Sequence, residues 1–155
     1  MLSVVELFDL ASLNLCGPVV WDTPILEKAA GVYVIALADP NLIPTFAASA
    51  DLTDTFQKRW NVDQEVIYIG RATSLRKRIR QFYRHKHGAP RPHRGGQDIK
   101  LLQADVNVYW AVTDNFCEAE KHMIDAFKLQ VGQLPFGNKV RSAQSRKKLI
   151  PVHQR

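Results

Sequence analysis

Three short runs of the sequence have the pattern of β-strands, and one of them is apolar at almost every position. Residues Gly31–Ala38 read GVYVIALA, which presents apolar side chains on both faces and is typical of a strand in the middle of a sheet. The other two runs are Glu65–Gly70 and Val106–Val112. Three strands with helices on their faces would form a small α/β or α+β sandwich.

Helices are predicted where a capping residue precedes an apolar periodic run. Ser3 and Asn115 are each followed three residues later by a glutamate, which is the spacing of a capping box. Pro18 and Pro24 mark a connector after the first helix. The predicted helices span about Ser3–Leu13, about Asp54–Trp60, Ser74 (or Thr73) to Arg84, Ile99–Gln103 and Asn115–Gln130.

A chain of 155 residues without internal repeats suits one compact domain. We expect an N-terminal helix and connector over residues 1–30, a core domain over 31–138 and a loosely held basic tail over 139–155. Residues 39–63 are irregular and form an insertion between the first two strands.

The charge of the chain favours a polyanionic partner. The net charge is +6 and the isoelectric point is about 9.5. The segment Arg71–Arg94 carries nine cations and no acid, and residues 139–155 form a second basic cluster. Such segments favour phosphate binding over a merely solvated surface.

The sequence has features that point away from the membrane and from secretion. No apolar run reaches the about 18 residues that a membrane span needs. The first residues lack the basic flank and cleavage site of a secretion signal, so we expect a cytoplasmic location. Cys16 and Cys117 are far apart in apolar surroundings, which argues against a disulfide or a cysteine-based zinc site.

The helix that begins near Asn115 places one carboxylate on its apolar face. At about 100° per residue, the apolar stripe consists of Phe116, Ala119, Met123, Ile124 and Phe127. Glu120 falls inside this stripe, whereas Glu118 points away and is explained as the capping partner of Asn115. A carboxylate aimed at a core needs a cation, a metal or several donors. Glu120 is therefore a candidate metal ligand or catalytic acid, with a structural ion pair to an arginine as the alternative.

The helix that begins near Ser74 and two of the strands carry the other candidates. Arg78 lies on a shoulder of the helix's apolar stripe, on the side shared with His85, where it can reach into a cleft. Tyr33 and Tyr68 lie on strands, where a tyrosine is usually a core residue with its hydroxyl satisfied at an edge. Three cations of the helix point outward, toward solvent or phosphate: Lys77, Arg80 and Arg84.

Taken together, these residues resemble the motif of the GIY-YIG nuclease family. The first half of that motif matches Gly31-Val32-Tyr33, and the second half matches Tyr68-Ile69-Gly70. The family's arginine, ten residues beyond the second tyrosine, matches Arg78. Its glutamate, four residues before an aliphatic position, matches Glu120. A closing Pro-x-x-Asn element matches Pro135–Asn138, so that the resemblance covers residues 31–138.

The sequence also departs from the family pattern. The two half-motifs are usually joined by a short hairpin, but Tyr33 and Tyr68 are 35 residues apart, which implies the insertion at 39–63. The interval from Glu120 to Asn138 is longer than expected, which leaves Glu118 as an alternative ligand.

Other departures concern the phosphate contacts and the residue one helical turn after the family's arginine. Arg71 stands where many relatives have a lysine or a small residue, and it can still contact a phosphate. Phe82 stands where some relatives have a histidine or tyrosine. The residues that could substitute are Tyr83, His85, His87 and His93. His93 also begins a His-x-Gly-Gly element that resembles one in some members.

The resemblance implies hydrolysis of DNA phosphodiesters by in-line attack of water, with one divalent metal, Mg²⁺ or Mn²⁺, held by Glu120. Tyr33 would orient or deprotonate the water, Tyr68 would support this hydroxyl network, and Asn138 would order the site from its far wall. The residues expected to contact the phosphates are Arg71, Lys77, Arg78, Arg80, Arg84, His85 and His93. DNA is the expected partner, and a homodimer is a possible assembly because family members that cut specific sequences usually pair.

Other interpretations also fit parts of the sequence. The same fold could bind DNA or RNA without cutting it. A basic RNA-binding protein would stack bases on exposed aromatic side chains, for which Trp60, Tyr109 and Trp110 are available. A zinc site is disfavoured because the histidine spacing matches no tetrahedral set that we can defend. Duplex, single-stranded and branched DNA are all left open as substrates, as is RNA.

Overall fold

The computed structural model describes residues 1–41, 45–46, 54–90 and 96–139. The helices are α1 (Val4–Leu10), α2 (Asp54–Arg59), α3 (Leu75–Arg84) and α4 (Phe116–Val131), with a 3-10 helix at Gln97–Leu101. The strands are β1 (Cys16–Val20), β2 (Gly31–Leu37), β3 (Thr45–Phe46), β4 (Val66–Ala72), β5 (Leu102–Gln103) and β6 (Val106–Val112). The mixed class of helices and strands is therefore as predicted.

In the described part of the chain, the main sheet is antiparallel and has four strands in the order β1-β6-β2-β4. The prediction of three strands is wrong by one, because β1 lies in the segment that was interpreted as a connector. Proline cannot donate to a strand ladder and is tolerated at a sheet edge or a bulge. Pro18 meets both conditions, since β1 is an edge strand whose register shifts between Cys16 and Val19. A second, two-stranded sheet joins β3 to β5 and was not predicted.

Alternate residues of the internal strand β2 face different helices. Every residue of β2 is buried, which confirms the central position predicted from its apolar pattern. One face packs in a core with residues of α1 and α4: Val32, Val34, Ala36, Leu7, Phe8, Met123 and Phe127. The other face packs in a core with residues of α3: Tyr33, Ile35, Leu37, Leu75, Ile79 and Phe82. Helices α3 and α4 therefore lie on opposite faces of the sheet.

The two strands that carry the tyrosines pair directly, although the insertion separates them in sequence. In the β2–β4 ladder Tyr33 lies opposite Gly70, and Ile35 lies opposite Tyr68. The register then shifts between Ile35 and Ala36. Tyr33 and Tyr68 are thus diagonal neighbours on the face that α3 covers. The insertion contains α2, close to where a short helix was predicted.

The helix termini agree with the sequence prediction in part. At α1 the Ser3 hydroxyl accepts a hydrogen bond from the Glu6 amide at 3.1 Å, so the predicted capping box is present, although the helix ends at Leu10. At α3 the Ser74 hydroxyl accepts from the Lys77 amide. The helix predicted at Ile99–Gln103 is a 3-10 helix that ends at Leu101.

The capping box predicted at the start of α4 is wrong. Within the described residues, the Asn115 side chain makes no capping hydrogen bond, and its backbone at φ −87° and ψ 44° is not extended. The Asn115 amide instead donates to the Thr113 hydroxyl at 3.2 Å. Glu118 therefore has no capping role that would explain its position.

No helix in the described part of the chain combines the length and apolar character that crossing a bilayer requires.

Candidate active site

A cleft of about 510 Å³ opens beside the edge strand β4, between α3 and α4. Residues from β2, β4, α3 and α4 line it, including most of the residues predicted for catalysis and phosphate binding: Tyr33, Tyr68, Arg71, Lys77, Arg78 and Glu120. These side chains lie up to 87 positions apart in the chain, from Tyr33 to Glu120, and the fold brings them to one place.

The two tyrosines form a pair at the floor of the cleft. Their ring centroids are 5.9 Å apart, and Tyr33 is completely buried. Glycines make room for both rings, because a Cβ at Gly70 would lie 2.5 Å from Cζ of Tyr33. A Cβ at Gly96 would lie 2.6 Å from Cε1 of Tyr68. The glycine that follows Tyr68-Ile69 is therefore required by the packing of the first tyrosine.

Both tyrosine hydroxyls keep their protons at neutral pH. Burial and the neighbouring Tyr68 raise the pKa of Tyr33 well above its ordinary value of 10.0, while the charge of Arg78 acts against this increase. Burial also raises the pKa of Tyr68 to about 12, although its hydrogen bond with Tyr33 opposes the change. Nearby Glu120 raises the pKa of Tyr68 further. The two hydroxyls are therefore neutral hydrogen-bonding groups in this structure.

Glu120 lies on the first half of α4 and faces the same cleft. Its side chain is 21% exposed, and Oε1 lies 3.9 Å from Nη1 of Arg71. The alternative interpretation, in which Glu120 pairs with an arginine, therefore corresponds here to a long contact with Arg71. Glu118 is exposed and lines a neighbouring groove instead of the cleft. The geometry favours Glu120 over Glu118 as the carboxylate of this site.

The cations of α3 divide between the cleft and the helix surface. Arg78 is half-buried, hydrogen-bonds to the Tyr33 hydroxyl, and places Nη1 3.5 Å from Oε1 of Gln81. Lys77 is exposed and lines the cleft. Arg80 and Arg84 are also exposed, as predicted, and line an adjoining groove.

The histidines predicted near the site do not all face it. His85 is only 2% exposed, with Nε2 2.9 Å from Oε1 of Gln97, so its ring does not present itself to a substrate in solvent. This position corrects the expected substrate contact, because the end of α3 turns the ring into the protein. His93 lies outside the described residues. The Tyr83 hydroxyl donates to the Thr23 carbonyl at 2.8 Å, away from the cleft.

Asn138 closes the outer edge of β4. Its Oδ1 accepts from the Ile69 amide at 3.0 Å, and its Nδ2 donates to the Ile69 carbonyl at 2.9 Å. The Gly137 amide donates to the Ile67 carbonyl at 2.7 Å. Asn138 therefore fixes the strand that carries Tyr68 and Arg71, and it contributes to the site through this strand.

Arg59, at the end of α2, is a residue of the site's support that the sequence did not reveal. Its Nη1 donates to Asp98 at 2.9 Å, and its Nη2 donates to the Phe136 carbonyl at 2.7 Å. Its guanidinium also lies 5.1 Å from the ring centroid of Phe136. Arg59, a residue of the insertion, thus holds the segment that leads to Asn138. Such a long-range contact cannot be predicted from a local sequence pattern.

Asp98 is the centre of this supporting network. His87 Nε2 lies 3.0 Å from one carboxylate oxygen, and Lys139 Nζ lies 3.7 Å from the other. Burial raises the pKa of Asp98, but hydrogen bonds from Arg59 and His87 and the charge of Lys139 together hold it below its ordinary value of 3.8. Asp98 is therefore ionised in the folded protein at neutral pH.

The donor set of the cleft suits a metal only in a limited way. Among the described residues, no group of three or more histidine, cysteine or acidic side chains is placed to hold a metal. Glu120 supplies a hard oxygen donor to the cleft, which fits Mg²⁺ or Mn²⁺ when water and phosphate oxygens complete the shell. The nearby cations Arg71 and Arg78 oppose binding of a further cation until a polyanion neutralises them.

No family model matches this chain, no curated protein matches it, and no solved structure matches it. The support for a function consequently comes from the residues of the cleft, their order in the sequence and their geometry.

Proposed function

We propose that this protein is a metal-dependent endonuclease that hydrolyses phosphodiester bonds of DNA in the cleft between α3 and α4, by a one-metal mechanism of the GIY-YIG type. The observation that carries the proposal is the meeting of Tyr33, Tyr68, Arg78 and Glu120 around one cleft. These residues follow the order of the family motif, and packing alone explains neither the half-buried arginine nor the half-buried glutamate.

Arg78 and Arg71 hold the phosphate in the proposed mechanism. Their guanidinium groups face the cleft and can donate charge-assisted hydrogen bonds to the non-bridging oxygens. The positive charge that they supply is most valuable when the phosphorus gains negative charge during attack. The hydrogen bond between Arg78 and Tyr33 ties this phosphate contact to the tyrosine pair.

Tyr33 helps to orient the attacking water indirectly, because its completely buried side chain holds Tyr68 and Arg78 in place at the cleft. Because its pKa is raised, its hydroxyl is neutral and serves as the hydrogen-bonding partner of these two side chains. Of the two roles expected for Tyr33, orientation is therefore preferred to deprotonation. Holding a nucleophile in line removes much of the entropy cost of the reaction.

Glu120 holds the divalent ion, which supplies charge neutralisation at the phosphate and activates water when it is bound. Oε1 of Glu120 lies 3.9 Å from Nη1 of Arg71, so the carboxylate and this phosphate contact share one side of the cleft. Asn138 keeps β4 in place, so that Tyr68 and Arg71 retain their positions beside Glu120.

A second candidate is a nucleic-acid-binding module without catalysis, for DNA or RNA. The observation that favours it is the same Arg71–Glu120 contact, since an arginine can replace a metal as the partner of the carboxylate. In that case the cleft would bind phosphate but would not cut.

The test is cleavage of supercoiled plasmid and of single-stranded DNA by the full chain, with Mg²⁺, Mn²⁺ or chelator, and with Glu120→Ala beside the wild type. We expect metal-dependent cutting by the wild type alone, while the variant still binds DNA. Equal cutting by the variant would exclude Glu120 as the ligand. Salt-sensitive DNA binding without any cutting would select the binding module.

A further inference from the structure

The cleft continues into a groove on each side. The α3 groove, of about 450 Å³, shares Ser74, Lys77 and Gln81 with the cleft. The α4 groove, of about 680 Å³, shares Tyr68, Arg71 and Glu120 with the cleft. A polymer with one phosphate in the cleft can leave along either groove, so their charges bear on its path.

The two grooves differ in charge. Over the described residues, the lining of the α3 groove contains five cations and no acid: Lys28, Arg76, Lys77, Arg80 and Arg84. The lining of the α4 groove contains three cations and three acids, which cancel: Arg71, Lys121, Lys139, Glu118, Glu120 and Asp125. A polyanion is attracted to the first groove and meets balanced charge in the second.

The positive charges of the α3 groove come from two segments of the chain. Arg76, Arg80 and Arg84 repeat every four residues on α3, where like charges destabilise a helix and no acid of the helix offsets them. The connector before β2 adds Lys28, because the amides of Leu75 and Arg76 donate to connector carbonyls at 2.9 and 2.7 Å. One acid, Asp22, lines a neighbouring groove with these arginines, and the remaining excess of positive charge still opposes helix stability and indicates an anionic ligand.

We propose that the α3 groove holds backbone phosphates of the nucleic acid on one side of the scissile phosphate, so that the substrate is gripped on the α3 side and hardly on the α4 side. The inference rests on the proposed function and extends it, since it adds Lys28 and Arg76 to the contacts and assigns the path of the strand.

The experiment measures binding of the full chain to a DNA duplex and to the matching single strand, in chelator, over a range of salt concentrations. The variant is Arg76→Gln/Arg80→Gln/Arg84→Gln. The matched control is Lys58→Gln/Lys121→Gln/Lys128→Gln, which removes the same charge from exposed positions and includes the α4 groove. Thermal unfolding of both variants checks their folding, and we expect the arginine variant to unfold no earlier than the wild type.

We expect the arginine variant to lose at least about tenfold in affinity and to flatten the slope of log affinity against log salt by about 2 to 3, since each phosphate contact contributes about 0.9 on a duplex. The control should change affinity by less than about threefold, because exposed charges remote from the ligand are largely screened.

Equal losses by the two variants would overturn the one-sided path and leave the proposed function intact. Absence of nucleic-acid binding by the wild type would instead overturn the proposed function, and the inference with it. Unchanged DNA binding by the arginine variant, together with lost binding to vesicles of anionic lipid, would assign the groove to a membrane surface and also overturn the inference.

Discussion

The two helices that flank the cleft, α3 and α4, contribute in different ways. Helix α3 is ten residues long, has no acid and buries only a narrow stripe of Leu75, Ile79 and Phe82. Helix α4 is sixteen residues long, mixes both charges and brings Glu120 to the cleft. The first helix offers many cations in a row, whereas the second offers one carboxylate at one position.

In the proposed function, α3 would bind the phosphates and α4 would supply the carboxylate that acts on one of them. Several cations along α3 can share the work of binding, so the loss of one should be tolerated. Glu120 has no equivalent on α4, since its nearest acidic neighbour, Glu118, is exposed and outside the cleft. We therefore expect substitutions on α4 to have sharp, position-specific effects and most substitutions on α3 to have graded ones.

The largest effect is expected for Glu120→Gln, with Glu118→Gln as the matched control. Glu120→Gln should reduce cleavage by roughly a thousandfold or more, at the upper end for loss of one charge-stabilising group. Glu118→Gln should stay within about threefold of the wild type, as surface substitutions usually do. Plasmid cleavage rates measured at saturating metal make the comparison. Equal losses would mean that α4 is less position-specific than its geometry indicates.

The next effect is expected on α3, for Arg78→Gln against Arg84→Gln. Arg78 reaches the tyrosine pair, so its loss should lower the cleavage rate about a hundredfold at saturating DNA. Arg84 is an exposed surface cation, and its loss should weaken DNA binding a few-fold with the rate at saturation unchanged. A common effect of both variants on binding alone would show that α3 only holds the substrate.

A smaller effect is expected between the helices, at Tyr33. Tyr33→Phe should slow cleavage by about tenfold to a hundredfold, because a misplaced nucleophile costs on this order. The pKa of Tyr33 lies well above 10.0, so the hydroxyl does not titrate near neutral pH, and the variant should keep the pH profile of the wild type. A rate between pH 7 and 9 that rises with pH only in the wild type would instead make Tyr33 the base.

Behind the site, at Arg59, we expect the smallest effect on cleavage and instead an effect on stability. Arg59→Met should lower the free energy of unfolding by about 1 to 3 kcal/mol, since it removes the hydrogen-bond donor from Oδ2 of Asp98 and from the Phe136 carbonyl. Lys58→Met, at the preceding exposed position, is the control and should stay within about 0.5 kcal/mol. Chemical unfolding measures both, and similar losses would contradict a supporting role for Arg59.

The hydrogen-bond network around Asp98 also makes the stability of the protein depend on pH in the acid range. The pKa of Asp98 is lowered in the folded protein, so its contribution is complete above the ordinary value of 3.8 and is lost as the pH falls through the folded value. Asp98→Asn should therefore be less stable than the wild type at pH 7, and this difference should shrink as the pH falls below 4. A constant difference across that range would show that Asp98 contributes through packing alone.

Much of the fold was readable from the sequence because the signals are local. The apolar run of β2, the capping of α1 by Ser3 and the stripe of α3 all depend on neighbouring residues. The strand β1 was missed because Pro18 is atypical of strands, and only the ladder with β6 makes an edge position available to it. The capping box at Asn115 failed because spacing does not fix the backbone conformation on which capping depends.

Residues of the candidate site could be predicted from the sequence where the side chain itself is unusual for its position. Glu120 was singled out as a carboxylate on an apolar stripe, and the structure places it in the cleft. Burial of His85 and the contacts of Arg59 could not be read, because both depend on partners far away in the chain. The charge contrast between the two grooves likewise arises only when the connector, α3 and α4 are assembled.

The amide of Asn138 has a consequence for self-association. Strand β4 ends the sheet, and its buried apolar residues would make an exposed edge a template for pairing with a second copy. Asn138 satisfies both backbone groups of Ile69, and Gly137 satisfies the carbonyl of Ile67, as a neighbouring strand would. Gly137 and Asn138 thus take the place beside β4 that a strand of a second copy would occupy in a fibril. Loosening these two residues would expose the edge of β4 to edge-to-edge aggregation.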